Sequence, residues 1–140
     1  MKPTKHATTN YRMIRPFLSA VDSSEDGHVR FLAGGYMPLV VENLGYTFRG
    51  AAVYSITHYG EQNGDAMRDP DMELAINHEA GTVEPLTFRN DYMGMYQEVY
   101  KRDNDGRLLY SPRLRTSLDD FLWQWLKNII EQGFTPRKTA

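Results

Sequence analysis

Two runs of strict apolar–polar alternation limit what this chain can fold into. In the first, Ala52, Tyr54 and Ile56 alternate with Val53, Ser55 and Thr57; in the second, Met72, Leu74 and Ile76 alternate with Glu73, Ala75 and Asn77. Side chains on an extended strand point to opposite faces in turn, so each run reads as a β-strand with one face buried. The second run meets a tight-turn cluster, His78-Glu79-Ala80-Gly81, and continues over residues 82–88, which is the pattern of a hairpin. Between the two runs, residues 58–71 are polar and read as a long loop joining strands.

A sheet with one apolar face needs a cover, and the C-terminal part supplies one. Leu114, Leu118, Phe121, Leu122, Trp125, Leu126, Ile129 and Ile130 recur at helical spacing as one broad stripe, with Ser111-Pro112 or Ser117 suited to the start and Gly133 to the stop. Such a stripe normally buries itself within its own domain, so it reads as core. A shorter helix is expected over 10–21 from Tyr11, Ile14, Leu18 and Val21, with Thr9 or Asn10 as cap; Pro16 either kinks it or opens its regular part.

Further strands are expected over 28–32, over 36–43 at an edge or starting beyond Pro38, and over 46–58 after a break or bulge at Gly45. Residues 90–100 fit a helix face or a strand; their Val and Tyr content, and the turn Asp103-Asn104-Asp105-Gly106 before Arg107-Leu108-Leu109-Tyr110, favour a hairpin. The fold class is therefore α+β: an antiparallel, meander-like sheet of five to seven strands, a short N-terminal helix, and a long amphipathic C-terminal helix packed on one face.

A chain of 140 residues is the size of one ordinary domain. It divides into a flexible basic arm over 1–9, a single domain over 10–134 and a tail over 135–140. Nothing approaches the ~20 consecutive apolar residues of a membrane helix. There are no cysteines, which excludes disulfides, thiolate zinc sites and cysteine nucleophiles, and the first ten residues lack the apolar core of a secretory signal. A cytoplasmic protein without membrane contact is the expectation.

Charge is unevenly distributed. Residues 53–100 hold nine acids against Arg68 and Arg89, a net −7 within a chain of net −2, whereas Lys2, Lys5, Arg12 and Arg15 precede the first acid, Asp22. Four charges are a weak footprint for nucleic acid. Tyr92, Tyr96 and Tyr100 offer stacking surfaces, but the acidity of that half repels phosphate.

Candidate chemistry concentrates in the 58–71 stretch: His58, Tyr59, Glu61, Gln62, Asn63, Asp65, Arg68, Asp69 and Asp71, with Gly60 and Gly64 between them. Carboxylates beside a histidine suit a hard cation or a positioned water, so His58, Glu61 and Asp65 define a metal-dependent, hydrolase-like alternative. No known ligand spacing is matched, and a solvated loop contacting a partner protein through His58, Tyr59, Glu61, Asn63, Asp65 and Asp69 is the favoured reading. No catalytic residue, metal or cofactor is assigned. His58 and His78 fall at opposite ends of paired strands, separated by about 20 Å, and so do not form one site. Asp22, Ser24, Asp26 and Gly27 match the first half of a calcium loop, but Ala33 stands where its bidentate Glu belongs. Gly34-Gly35 lies between strands and does not open a helix, and no serine has a nucleophile-elbow context.

The segment Tyr59-Gly60-Glu61-Gln62-Asn63-Gly64-Asp65, followed by Asp69-Pro70, the His78-Glu79-Ala80-Gly81 turn, Tyr96-Gln97 and Trp125-Leu126-Lys127-Asn128, resembles an uncharacterised family of small proteins and domains from conjugative elements and phages of Gram-positive gut bacteria. The similarity covers about 36–134. It implies an accessory protein of a mobile element, with no catalytic residue assigned; the acidic 53–100 segment is the separate reason to expect a protein partner, of the element or of its host.

Overall fold

The structure, a computed structural model, describes residues 2–137; Met1 and residues 138–140, the end of the expected tail, lie outside the described residues. Helix α1 (Ala7–Asp22) leads into strands β1 (His28–Phe31), β2 (Leu39–Phe48), β3 (Ala51–Gln62), β4 (Asp65–Asn77), β5 (Thr82–Pro85), β6 (Thr87–Asn90), β7 (Met95–Glu98), β8 (Tyr100–Arg102) and β9 (Leu108–Tyr110), and α2 (Pro112–Glu131) closes the chain. The main sheet is antiparallel in the order β1-β2-β3-β4-β6-β7, with β5 also paired to β4, and β8-β9 forms a separate hairpin.

Alternation on the strands sets the layers. Leu39 and Val41 on β2, Tyr54 and Ile56 on β3, and Met72, Leu74 and Ile76 on β4 are buried on one face, joined by Ile14, Leu18 and Val21 of α1 and Leu122, Leu126 and Ile129 of α2 in one core. Aromatic pairs seat the helices on this face: Phe17 of α1 lies edge-on to Phe31, and Phe121 of α2 edge-on to Phe88. Both helices therefore occupy what we term the inner face.

The helix ends follow local chemistry. Ser111 caps α2 by accepting from the Leu114 amide, Pro112 occupies the first turn, and Gly133 follows the end with φ +96°. Helix α1 runs through Pro16, which lies on the exposed side. It also starts at Ala7, earlier than the periodicity indicates, so the last residues of the expected free arm are helical. The reason is tertiary: His6, the residue before the helix, makes no side-chain cap of its own, and its backbone N–H donates to Asp119 of α2 at 2.9 Å.

Strand boundaries differ from the periodicity in four places. The strand expected over 46–58 is two strands, because Arg49 and Gly50, with φ +51° and +83°, form a two-residue turn between the paired Phe48 and Ala51. Residues 82–88 divide at Leu86 into β5 and β6; of the expected strand over 90–100, residues 91–94 are the turn that joins β6 to β7, and the rest divides at Val99 into β7 and β8. Above all, residues 58–71 are not a loop. They continue β3 and β4 as a ribbon whose tip is the two-residue turn Asn63-Gly64, with Gln62 opposite Asp65. At the base of this ribbon β4 bulges around Asp69 and Pro70, whose peptide bond is cis, so that Thr57 pairs with Asp71 and Tyr59 with Arg68. A bulge accommodates the missing ladder donor of proline. Other expectations match: β2 begins directly after Pro38, and the register of β2 shifts around Gly45.

Candidate functional site

The ribbon separates the residues that the sequence groups together. His58 continues the inner face: it is 8 % exposed, lies against Trp125 and Phe134 at ring distances of 5.6 and 5.5 Å, and its Nδ1 donates to the Met37 carbonyl at 3.2 Å. Burial pushes its pKa below the usual histidine value, so it is a neutral core side chain at pH 7. Glu61, an odd-numbered neighbour, projects to the opposite face beside Tyr59, and Asp65 lies near the tip across from Gln62. All of Glu61, Asn63 and Asp65 are exposed, and His58, Glu61 and Asp65 do not converge. Asp69 in the bulge accepts from the Asn90 side chain at 2.8 Å. His78, at the other end of the sheet, shares a 2.8 Å hydrogen bond with the Tyr11 hydroxyl.

What the pairing does bring together is a row across the outer face, away from the helices. Strand register places Glu42, Ser55 and Glu73 side by side, and next to them Thr57, Asp71, Arg89 and Tyr96. One end of this face is covered where Phe48 and Tyr100 pack over Val53, Ala75 and Leu86. The rest is open, with Tyr46 and Tyr96 about half exposed, at 50 % and 48 %.

Polar contacts organise the open part. The Thr57 hydroxyl donates to Asp71 at 2.5 Å, and the Tyr46 hydroxyl donates to Glu73. Asp91 accepts from both the backbone N–H and the Nε of Arg68, at 2.8 and 3.0 Å, while the Arg89 guanidinium lies 4.5 Å from the centre of the Tyr96 ring. Both arginines thus already have partners. Protonation follows these surroundings. Burial raises the Asp71 pKa, opposed by the Thr57 bond and reinforced by Glu73. Burial and the bond to Glu73 push Tyr46 up to about 12, and burial raises Tyr59 and Tyr96. The Arg68 backbone N–H and side chain hold Asp91 below the usual carboxylate range. The result is a fixed, net-negative surface whose tyrosines remain protonated phenols, able to donate hydrogen bonds and stack on cations.

A family model described as "Domain of unknown function (DUF6908)" matches residues 12–135, nearly the whole chain. The chain belongs to the DUF6908 family. No curated protein and no solved structure matches it.

This DUF6908 chain also assembles a cluster that its sequence does not advertise. Asp119 on α2 is 1 % exposed and accepts from the Thr4 hydroxyl at 2.6 Å and from the His6 backbone N–H at 2.9 Å. The next residue, Asp120, pairs with the His6 Nε2 at 3.1 Å. Among the described residues, His6, Asp119 and Asp120 form the group whose potential metal-binding atoms all lie within 4.8 Å of one another. Over a hundred positions separate His6 from the two aspartates, so no local spacing motif connects them. Among the described residues no helix is long and apolar enough to cross a membrane.

Proposed function

We propose that this chain is a non-enzymatic binding module that takes a basic segment of a partner protein onto its outer sheet face and the adjoining ribbon. Following the resemblance noted above, its setting is the cytoplasm of a bacterium carrying a mobile element, and its partner is a protein of that element or of the host. One observation carries the reading. The open half of the outer face sets Glu42, Glu61, Asp71, Glu73, Asp91 and Glu98 against Arg30, Arg68 and Arg89, and the last two arginines are already engaged. Half-exposed Tyr46 and Tyr96 among these carboxylates suit Lys and Arg side chains, which gain from ion pairing and from an aromatic face together. The acid/base alternative at His58, Glu61 and Asp65 lacks geometric support, since the imidazole is buried on one face and Glu61 projects from the other.

The test is a random peptide library selected on the wild-type protein, with the charge-reversed variant Glu42→Lys/Glu61→Lys/Glu98→Lys as comparison. All three positions are exposed, so the fold tolerates them. Enriched peptides rich in Lys and Arg that bind the variant at least about tenfold more weakly support the proposal; each tenfold loss corresponds to ~1.4 kcal/mol. Peptides without basic residues, or peptides that bind both proteins alike, overturn it.

A further inference from the structure

We propose that His6, Asp119 and Asp120, completed by Asn10, bind a divalent transition-metal ion of the zinc type and clamp the start of α1 to α2. The three metal-binding atoms lie within 4.8 Å of one another, and His6 Nε2 stands 3.1 Å from the Asp120 carboxylate. Ligand atoms at the usual 2.0–2.2 Å from a tetrahedral zinc are about 3.3–3.6 Å apart, so the cluster reaches that arrangement with small side-chain rotations.

Asn10 gives an independent reason. It is 0 % exposed, and its Oδ1 has no hydrogen-bond partner. The same amide faces Asp119, with Nδ2 3.5 Å from both the carboxylate and the backbone carbonyl, which is the outer limit of a hydrogen bond. Turning the amide over aims Oδ1 into the cluster. Against two carboxylates alone that orientation is repulsive; against a cation it satisfies the orphaned oxygen. Asp119 points the same way, because its partners are a hydroxyl, a backbone N–H and an amide, and none of the described ion pairs includes it. A buried carboxylate normally sits beside a compensating charge.

The donor set selects the metal. One imidazole nitrogen with carboxylate and amide oxygens suits Zn²⁺, Co²⁺, Ni²⁺ or Mn²⁺, whereas Ca²⁺ and Mg²⁺ prefer oxygen alone. His6 is held in plane by stacking on Trp123, at 4.6 Å with a 10° tilt. Lys127 lies 4.3 Å from the same ring, a nearby like charge that weakens the site.

The experiment uses tag-free full-length protein, stripped with EDTA and titrated with Zn²⁺ and Co²⁺. Zinc at about a hundredfold over its Kd raises Tm by roughly 5–10 °C, and Co²⁺ gives a visible absorption band of a low-symmetry site. His6→Phe keeps the stack on Trp123 but removes both ring nitrogens, and Asp120→Asn alters a side chain that is 59 % exposed. Both variants keep a metal-free Tm close to wild type and lose both metal responses. A wild-type Tm unmoved by millimolar Zn²⁺, Co²⁺, Ni²⁺ and Mn²⁺ overturns the proposal, as do variants that respond like wild type.

Discussion

Asp119→Ala in metal-free buffer tests how the N-terminal segment is held. The substitution removes the acceptor for the Thr4 hydroxyl at 2.6 Å and for the His6 N–H at 2.9 Å, and leaves the buried Asn10 amide facing an apolar methyl. Hydrogen bonds to a charged acceptor contribute about 1.5–3 kcal/mol each, and losing the acceptor at a helix start costs about 0.5–2 kcal/mol. The His6 bond belongs to both categories, so the two ranges overlap and the sum is about 3 kcal/mol. For a domain of this size that lowers Tm by about 10 °C. Calorimetry in EDTA measures the fall, and amide exchange locates it: protection is lost in the first turn of α1, at residues 7–10, while β3 and β4 keep theirs, because Ile14, Leu18 and Val21 still anchor the rest of the helix in the core. Asp120→Asn, on a largely exposed side chain, is the control and leaves Tm in place in the same buffer. A fall for Asp119→Ala of less than about 3 °C, or loss of protection spread evenly over the sheet, refutes the view that this carboxylate anchors α1.

Two other substitutions address the core and the outer face. Leu122→Ala, at a position with 0 % exposure where α2 meets the sheet, lowers the unfolding free energy by about 2–5 kcal/mol with an unchanged denaturant slope; a loss below about 1 kcal/mol in urea titration contradicts the packing described. Asp71→Asn raises stability at pH 7. The Asp71 pKa is raised in the fold, chiefly by burial, so its charged form is disfavoured there: the associated stability is complete below the unfolded pKa of about 4 and is lost as pH rises through the folded value. Asparagine keeps an acceptor for Thr57 without the charge, so the gain appears at neutral pH and vanishes towards pH 3, as read from Tm against pH. A gain that persists at pH 3, or a loss at pH 7, contradicts the assignment.

Which features were legible depends on whether one face of an element is buried. The α2 stripe and the 52–57 and 72–77 runs betray themselves because every second or every third-to-fourth residue meets the core. Beyond His58 and before Met72 the hairpin leaves the shelter of the helices, polar residues occupy both faces, and the apolar signal disappears although the pairing continues to Gln62 and Asp65. The Asn63-Gly64 pair was the remaining clue, since it is the preferred sequence for a two-residue hairpin turn. Arg49-Gly50 gave less warning, as arginine seldom adopts positive φ. The separation of His58 from His78 follows from alternation and strand direction alone. The contacts of Tyr46 with Glu73, and of His6 with Asp119 and Asp120, require a register or a helix packing that no local pattern encodes.

The outer face is hard to explain by folding stability. Glu42 and Glu73 flank Ser55 in register, and Asp71 stands two residues from Glu73 on the same face of β4. Like charges at neighbouring sheet positions repel, and burial raises the Asp71 pKa further. Thr at 71, which has Thr57 as its β3 partner, or Arg at 73, between the carboxylates, would serve the ladder better, since β-branched residues suit a strand and opposite charges attract across it. The helices take no part here, being packed on the inner face, so these carboxylates do not complete the core. Residues that oppose stability while remaining fixed by specific hydrogen bonds, as Asp71 is by Thr57 and Glu73 by Tyr46, are characteristic of surfaces shaped by a ligand. On the function proposed above, a positively charged partner relieves the repulsion on binding, which makes the electrostatic cost in the free protein a source of affinity in the complex. Stability and binding are then coupled in opposite directions: Asp71→Asn, which stabilises the free module at pH 7, weakens its hold on a selected basic peptide in a binding titration at that pH, and an unchanged or tighter affinity contradicts the coupling.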